Sequence, residues 1–169
     1  MEILFSQEKI ARRVAELGRE ITEFYRGKQL LVVAIANGGV VFAADLMRQI
    51  ELDLEFDTIA VTSYVNDKSS GKITFRSPGK LPVAGKHVLL LDGVLDSGTT
   101  LCCLKEYFLK KEAASCRTAV AIDKNVQRAP GGTAHADWQG FGAPDRYLIG
   151  YGMDSDERFR NLPYIAAID

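Results

Sequence analysis

Two uninterrupted apolar runs, Leu30–Ala36 and Val88–Leu91, constrain the fold more than any other feature of the sequence. Such runs are typical of strands that are buried on both faces. Cys116–Ile122 predicts a further buried strand, whereas Val40–Ile50 and Thr99–Lys111, which follow the two apolar runs, predict helices. This alternation of strands and helices predicts an α/β fold, in which helices cover both faces of a mostly parallel central sheet.

Three other segments extend this framework. Apolar residues at helical spacing predict a helix that ends near Gly27, and they are Ile10, Val14, Leu17, Ile21 and Phe24. Apolar and acidic residues alternate from Leu52 to Thr58, which is the period of a strand. Asn66–Gly71 is polar and small, and it predicts a loop. Because ligands bind beyond the carboxyl ends of such sheets, the segments after the strands are the candidate site.

Length and composition indicate a globular protein and exclude several classes. The 169 residues suffice for one domain, which we expect to span residues 1–169. A net charge of -1 favours neither nucleic acid nor a membrane surface as a partner. No apolar run approaches the ~18 residues of a membrane span, and no signal peptide is evident, so a cytoplasmic location is expected.

The cysteine and histidine counts argue against a structural metal or disulfide framework. Cys102, Cys103 and Cys116 are odd in number and lack Cys-x-x-Cys spacing, so buried reduced thiols are expected. Two histidines are too few for a His-rich metal site.

Acids, glycines and hydroxyl residues follow the run at Val88–Leu91. Asp92 comes first, and the stretch that leads into the next predicted helix is Asp96, Ser97, Gly98, Thr99 and Thr100. A helix N-terminus with a glycine and hydroxyl donors suits a phosphate group. The residues alone leave a second interpretation open, in which Asp96 or Ser97 simply caps the helix. The stretch lacks the Gly-Lys-Ser/Thr of a Walker loop.

The segment from Val88 to Thr100 resembles the phosphoribosyl pyrophosphate signature of the type I phosphoribosyltransferases. The resemblance implies that Asp96, Ser97, Gly98, Thr99 and Thr100 hold the 5-phosphate, that Asp96 exchanges a proton with the base as the catalytic residue, and that Asp92 faces the ribose or a metal ion. Gly93 departs from the pattern, because the family usually has a second acid there. We therefore expect a raised KM for phosphoribosyl pyrophosphate, which Gly93→Asp should lower.

Two further loops carry the same resemblance. Asn37, Gly38 and Gly39 resemble the loop that binds pyrophosphate through its backbone, although the family often has Lys where Asn37 stands. Ser63 and Tyr64 resemble the start of the flexible loop that closes over the reacting centre and excludes water. Without the resemblance, the residues leave open an ordinary strand-to-helix turn for the first loop and a hairpin loop for the second.

The C-terminal third resembles the hypoxanthine-guanine branch of the family. The resemblance implies that Lys124 donates to O6 of the purine, that Tyr147 stacks on the base and that Leu148 meets the base through its backbone. It also implies that Asp154 binds Mg²⁺ and that Arg160 contacts pyrophosphate. Taken alone, these residues would be a solvated lysine, a core tyrosine and a surface arginine. The segment from Gln127 to Ala136 matches the family poorly.

Together these segments imply an enzyme of purine salvage. The resemblance implies the type I phosphoribosyltransferase fold with a small hood built from the terminal segments, a 6-oxopurine and phosphoribosyl pyrophosphate as substrates, Mg²⁺ as cofactor, and a homodimer or homotetramer. The altered positions Gly93 and Asn37 leave one alternative, a catalytically weak regulator that binds purine nucleotides, although Asp96 argues against it. The C-terminal segment and the net charge disfavour an RNA-binding attenuator with uracil phosphoribosyltransferase activity. The sequence does not rank hypoxanthine, guanine and xanthine.

Overall fold

A computed structural model describes residues 1–63 and 73–168. The helices of this part of the chain are α1 (Gln7–Tyr25), α2 (Val40–Met47) and α3 (Thr99–Lys110). The strands are β1 (Glu2–Phe5), β2 (Leu30–Ala36), β3 (Leu54–Ser63), β4 (Ile73–Ser77), β5 (His87–Leu95), β6 (Ser115–Lys124), β7 (Trp138–Ala143), β8 (Tyr147–Ile149) and β9 (Ile165–Ile168).

Six strands form the central sheet in the order β4-β3-β2-β5-β6-β7. Four neighbouring pairs are parallel, and β4 alone runs antiparallel to its neighbour β3. Strand β5 lies between β2 and β6, and its register pairs Leu91 with Ala34 and Leu95 with Asp123. The predicted, mostly parallel sheet is therefore confirmed, and the carboxyl ends of β2, β5 and β6 meet at one edge.

Helices cover both faces of this sheet because successive strand residues point to opposite sides. In β2, Leu30 and Val32 pack into the core cluster that includes α1 and α2. Leu31 and Val33 pack into the cluster that includes α3. Both clusters consist mainly of fully buried aliphatic side chains, so β2 is apolar along its whole length.

Helix α1 follows its predicted periodicity with one correction. Ser6 caps it by accepting a hydrogen bond from the Lys9 N–H at 3.3 Å. Ile10, Val14, Leu17 and Ile21 are buried as expected. Phe24, expected in the same apolar stripe, is 39% exposed, because the stripe ends on Tyr25, which is fully buried. The Phe24 ring instead meets the edge of Trp138.

The chain termini build a second, smaller sheet of order β1-β9-β8, and both of its strand pairs are antiparallel. Strand β1 brings the N-terminus against β9 near the C-terminus. This sheet corresponds to the predicted hood of terminal segments. Within the described ranges, no helix is both long and apolar enough to cross a membrane.

Several element bounds differ from the prediction. Helix α2 ends at Met47 rather than Ile50, and β3 runs from Leu54 to Ser63 rather than from Leu52 to Thr58. Strand β5 continues beyond Leu91, because Asp92 and Val94 still pair with β6. The prediction that all three cysteine thiols are buried is only partly correct, since Cys116 is buried while Cys102 and Cys103 are half-buried.

Candidate active site

The predicted segments converge at the carboxyl edge of the central sheet. Asn37, Gly38 and Gly39 follow β2, the stretch Asp96–Thr100 follows β5, and Lys124 ends β6. Parallel pairing of β2, β5 and β6 brings these three connections side by side. The edge of the sheet where ligands are expected is therefore also where the chemically active side chains lie.

A cleft of about 210 Å³ opens at this edge. Its lining residues are Gly38, Val94, Lys124, Tyr147, Leu148, Met153, Asp154 and Arg160. These eight residues come from four separate segments of the chain. Six of the eight were singled out from the sequence. Val94 and Met153 were missed, although each lies inside a motif that carried the resemblance, because an apolar residue gives no chemical signal of its own.

Lys124 is held against two acids at one end of this cleft. Its side chain is only 12% exposed, and Nζ donates to Asp96 Oδ2 at 3.1 Å, while Asp145 Oδ1 lies 3.9 Å away. Lys124 is therefore not a freely solvated lysine. Tyr147, in contrast, is 55% exposed and is not a core residue. An accessible ring and a shielded ammonium group suit a flat ligand with a hydrogen-bond acceptor.

The loop after β5 leaves the first turn of α3 open to a ligand. The N-cap is Gly98, which has a left-handed φ of 79° and no side-chain cap hydrogen bond. Neither Asp96 nor Ser97 is therefore the N-cap residue, and no cap hydrogen bond comes from the Gly98 position. The capping interpretation holds in part for Ser97, whose Oγ accepts the N–H of Thr99, the first residue of α3, at 3.4 Å and donates to the Thr99 hydroxyl at 3.3 Å. Hydroxyl groups and helix N–H groups thus share one side of the loop.

Glycines bring three segments into backbone contact beside this loop. A Cβ atom at Gly93 would lie 2.7 Å from the Gly38 carbonyl oxygen, and one at Gly152 would lie 2.5 Å from the same oxygen. Gly39 is equally restricted, with the Leu91 carbonyl oxygen 2.7 Å away. The expected gain from Gly93→Asp therefore needs revision, because any side chain at position 93 displaces the loop after β2.

Asp92 lies under this junction with its carboxyl group shielded by protein. Its Oδ1 accepts the Gly93 N–H at 2.7 Å. The residue keeps a little accessible surface, but burial of the carboxyl group raises its pKa to about 7, and the single backbone hydrogen bond lowers it less.

The loop after β8 is organised by Arg160. The guanidinium group donates to the Gly152 carbonyl oxygen at 2.8 Å and pairs with Asp154 Oδ1 at 3.0 Å and Glu157 Oε2 at 2.9 Å. Asp154 Oδ2 also accepts the Glu157 N–H at 2.9 Å. These contacts fix Asp154 and Arg160 at the rim of the cleft.

No group of three or more metal-ligating side chains occurs among the described residues. Asp92 and Asp154 are single carboxylates on different segments. Such donors suit an ion that receives most of its ligands from a substrate and from water, as Mg²⁺ commonly does, and not an ion held by protein alone.

Some predicted residues lie apart from this cleft or cannot be placed. Ser63 ends β3, which is separated from β5 by β2, and Tyr64 lies outside the described residues. Asn37 belongs to the turn after β2, where the Ala36–Asn37 peptide bond is cis. Sequence reasoning missed Asp145 beside Lys124 and Arg128 beneath the loop after β5. For Arg128 no signal was available, because its segment resembles the family poorly.

Comparison with known proteins agrees with this geometry. Residues 1–144 match the model of the phosphoribosyl transferase domain family. Hypoxanthine-guanine phosphoribosyltransferase of Bacillus subtilis is 37% identical over 168 residues, which cover 99% of this chain and 92% of that protein. Hypoxanthine-guanine-xanthine phosphoribosyltransferase of Tritrichomonas foetus is 33% identical over 166 residues, which cover 98% of this chain and 90% of that protein.

The fold is equally similar to solved structures. The crystal structure of a hypoxanthine-guanine phosphoribosyltransferase from Bacillus anthracis superposes with a TM-score of 0.94 at 34% identity. The match covers 100% of this chain and 99% of that one. Sequence and fold thus agree over nearly the full length, and the chain belongs to the hypoxanthine-guanine phosphoribosyltransferase family.

Proposed function

We propose that this protein transfers the 5-phosphoribosyl group of phosphoribosyl pyrophosphate to a 6-oxopurine, giving a nucleoside monophosphate and pyrophosphate. The observation that carries the proposal is the shielded Lys124 ammonium group beside Asp96 in a cleft that Tyr147 borders. This cleft adjoins a glycine-capped helix N-terminus with hydroxyl groups, which suits a phosphate.

The purine binds at the end of the cleft that holds Lys124 and Tyr147. Lys124 Nζ carries only hydrogen-bond donors and therefore suits a 6-oxo group but not a 6-amino group. Tyr147 stacks on the base, and the backbone of Leu148 meets its edge. Backbone carbonyl groups near Leu148 and Asp154 contact the substituent at C2, and they would set the preference among hypoxanthine, guanine and xanthine.

Asp96 handles the proton of the purine. Its carboxylate is 57% exposed and hydrogen-bonded to Lys124, so it lies within reach of a base that binds Lys124. When O6 of the base accepts from Lys124, Asp96 is available to accept the proton that the purine loses as its nitrogen attacks the anomeric carbon. Fixed positions of base and sugar lower the entropic cost of the displacement.

The other substrate lies across the loops after β5 and β2. Asp96, Ser97, Gly98, Thr99 and Thr100 hold the 5-phosphate through N–H and hydroxyl groups. Asp92 accepts from the ribose hydroxyl groups. The pyrophosphate is bound by the backbone of Asn37, Gly38 and Gly39 and by Arg160, whose positive charge stabilises the leaving group.

Mg²⁺ would be held by Asp154, by Asp92 and by pyrophosphate oxygens, directly or through water. When bound, it would neutralise negative charge on the departing pyrophosphate. The residues fit this role because Asp154 lines the same cleft as Gly38, and Asp92 adjoins Gly93, which packs against the Gly38 carbonyl group.

Several expectations from the sequence remain predictions. They are a single domain over residues 1–169, closure of a loop that starts at Ser63 and Tyr64, a homodimer or homotetramer, and a cytoplasmic location. The regulator alternative has no structural observation in its favour, since Asp96, Lys124 and Tyr147 keep an arrangement suited to turnover.

The test is pyrophosphate release from phosphoribosyl pyrophosphate and Mg²⁺ with each of hypoxanthine, guanine, xanthine, adenine and uracil. We expect turnover with at least one 6-oxopurine and none with adenine or uracil. Lys124→Met should abolish turnover, whereas Lys86→Met is a matched control, because Lys86 is also mostly buried and ion-paired, with Glu55, away from the cleft. Comparable rates with adenine, or no release with any base, would contradict the proposal.

A further inference from the structure

Four consecutive carbonyl groups, at the end of β5 and in the loop after it, are bound by one neighbouring segment, residues 128–134, which we call the supporting segment. The Arg128 guanidinium donates to the Asp96 carbonyl oxygen at 2.7 Å and to that of Leu95 at 3.4 Å. The Ala129 N–H donates to the Ser97 carbonyl oxygen at 2.9 Å, and the Thr133 N–H to that of Gly98 at 3.0 Å.

These contacts decide where the N–H groups of the loop point. In a planar trans peptide the C=O and N–H groups point in opposite directions. Since the carbonyl groups of residues 95–98 face the supporting segment, the N–H groups of residues 96–99 face the other side. Asp96 and Ser97 are exposed on the loop. Successive N–H groups that face one side form a concave site for an anion.

The two backbones also touch, so that the shape of the loop depends on the supporting segment. A Cβ atom at Gly98 would lie 2.4 Å from the Thr133 carbonyl oxygen, and one at Gly132 would lie 2.5 Å from the Ser97 carbonyl oxygen. Gly98 is therefore required by this packing, in addition to any close approach to a phosphate.

Arg128 is itself fixed by the central sheet. Its guanidinium pairs with Asp123 of β6, and the two side chains are 13% and 7% exposed. Asp123 lies opposite Leu95 in the register of β5 and β6. A third contact joins Arg128 Nε to the Ala134 carbonyl oxygen at 3.0 Å. One planar fork thus binds a sheet residue, the supporting segment and the loop, which a lysine cannot do.

We infer that Arg128, anchored by Asp123, is a positioning residue for the phosphate site. It binds the Leu95 and Asp96 carbonyl groups, keeps the opposite N–H groups directed at the 5-phosphate, and holds Asp96 where its carboxylate meets Lys124. Arg128 acts through the loop and does not touch the substrate. This inference rests on the proposed function, since it assigns the 5-phosphate to this loop.

The test compares Arg128→Met and Arg128→Lys with the parent protein. Ribose 5-phosphate is the probe of the loop, and its Kd is measured by calorimetry. Steady-state kinetics with hypoxanthine give the KM of each substrate. We expect Arg128→Met to raise the Kd of ribose 5-phosphate and the KM of phosphoribosyl pyrophosphate about tenfold or more, because hydrogen bonds from a charged group are lost. The KM of hypoxanthine should change by less than about threefold.

Arg128→Lys separates positioning from folding, because it keeps a positive charge opposite the buried Asp123. We expect a melting temperature near that of the parent, with a Kd for ribose 5-phosphate still raised by more than about threefold. Arg117→Met is the matched control. Arg117 also pairs with an aspartate, Asp137 at 3.1 Å, but lies near the start of β6, so its loss should leave both KM values unchanged.

A change of less than about threefold in the Kd of ribose 5-phosphate for Arg128→Met overturns the inference, even if the protein melts at a lower temperature. If Arg128→Met does not fold, Arg128→Lys takes its place in the test, and a change of less than about threefold in its Kd for ribose 5-phosphate overturns the inference. The proposed function fails separately: a parent protein that releases no pyrophosphate with any base refutes it, whereas ribose 5-phosphate binding still tests the role of Arg128.

Discussion

Replacing Gly93 by alanine tests the glycine junction directly. Its Cβ atom would lie 2.7 Å from the Gly38 carbonyl oxygen, whereas ordinary contact begins near 3.4 Å. The carbonyl group must therefore move by about 0.7 Å, and the close approach of Gly152 blocks one direction of escape. Overpacking of this kind costs about 1–3 kcal/mol in the free energy of unfolding. For a chain of this size, that lowers the melting temperature by about 2–12 °C.

The same movement should weaken the pyrophosphate site, because the displaced carbonyl belongs to the loop after β2. Misplacement of a binding group by about 1 Å can cost on the order of 10²-fold. We expect kcat/KM for phosphoribosyl pyrophosphate to fall by about 10–100-fold in Gly93→Ala, with the KM for hypoxanthine nearly unchanged. Gly93→Asp should be at least as impaired, which reverses the expectation drawn from the sequence.

Gly38→Ala is the matched control for stability. It makes the same chemical change in the same junction, but its Cβ atom would meet no other atom within 4 Å. Its free energy of unfolding should stay within about 0.5 kcal/mol of the parent value. The measurements are calorimetric unfolding and steady-state kinetics on the parent, Gly93→Ala and Gly38→Ala. If Gly93→Ala melts and binds phosphoribosyl pyrophosphate like the parent, the junction is not tight and the reasoning fails.

Three further predictions follow from the site. Asp96→Asn should lower kcat by about 10²–10⁴ with little change in nucleotide affinity, and a near-normal kcat in a stopped-flow or steady-state assay would remove Asp96 from proton transfer. Lys124→Gln, which adds an acceptor, should narrow the preference for hypoxanthine over adenine, measured as the ratio of kcat/KM values, and an unchanged ratio would show that Lys124 does not read the 6-position. Asp92→Asn removes a carboxyl group whose pKa burial raises to about 7 from 3.8. Because the raised folded-state pKa favours the protonated form, the stability that this group contributes is present below the unfolded pKa and is lost as the pH rises through 7. The free energy of unfolding in urea, measured without substrate, should therefore rise in Asp92→Asn by about 2–4 kcal/mol relative to the parent as the pH goes from 4.5 to 8. If the two proteins show the same pH dependence, the pKa of Asp92 is not raised.

The sequence by itself determined the layered framework, because the information is local. An unbroken apolar run as short as Leu30–Ala36 is typical of a strand with two buried faces, and the structure gives β2 those bounds. Residues that follow such strands lie at one edge of the sheet, so Gly38, Asp96 and Lys124 could be assigned to one site before their distances were known.

Only the tertiary structure decided what those residues face. In the sequence, Gly93 stands where the family usually has an acid. In the fold, the Gly38 carbonyl group occupies the space that a side chain at position 93 would need. Asp92 reads as an ordinary acid, and its raised pKa follows from burial. Arg128 carries no local signal, yet it binds the carbonyl groups of a loop more than thirty residues earlier in the chain. Contacts between segments far apart in the chain depend on packing distances of a few tenths of an ångström, and no periodicity or local motif encodes them.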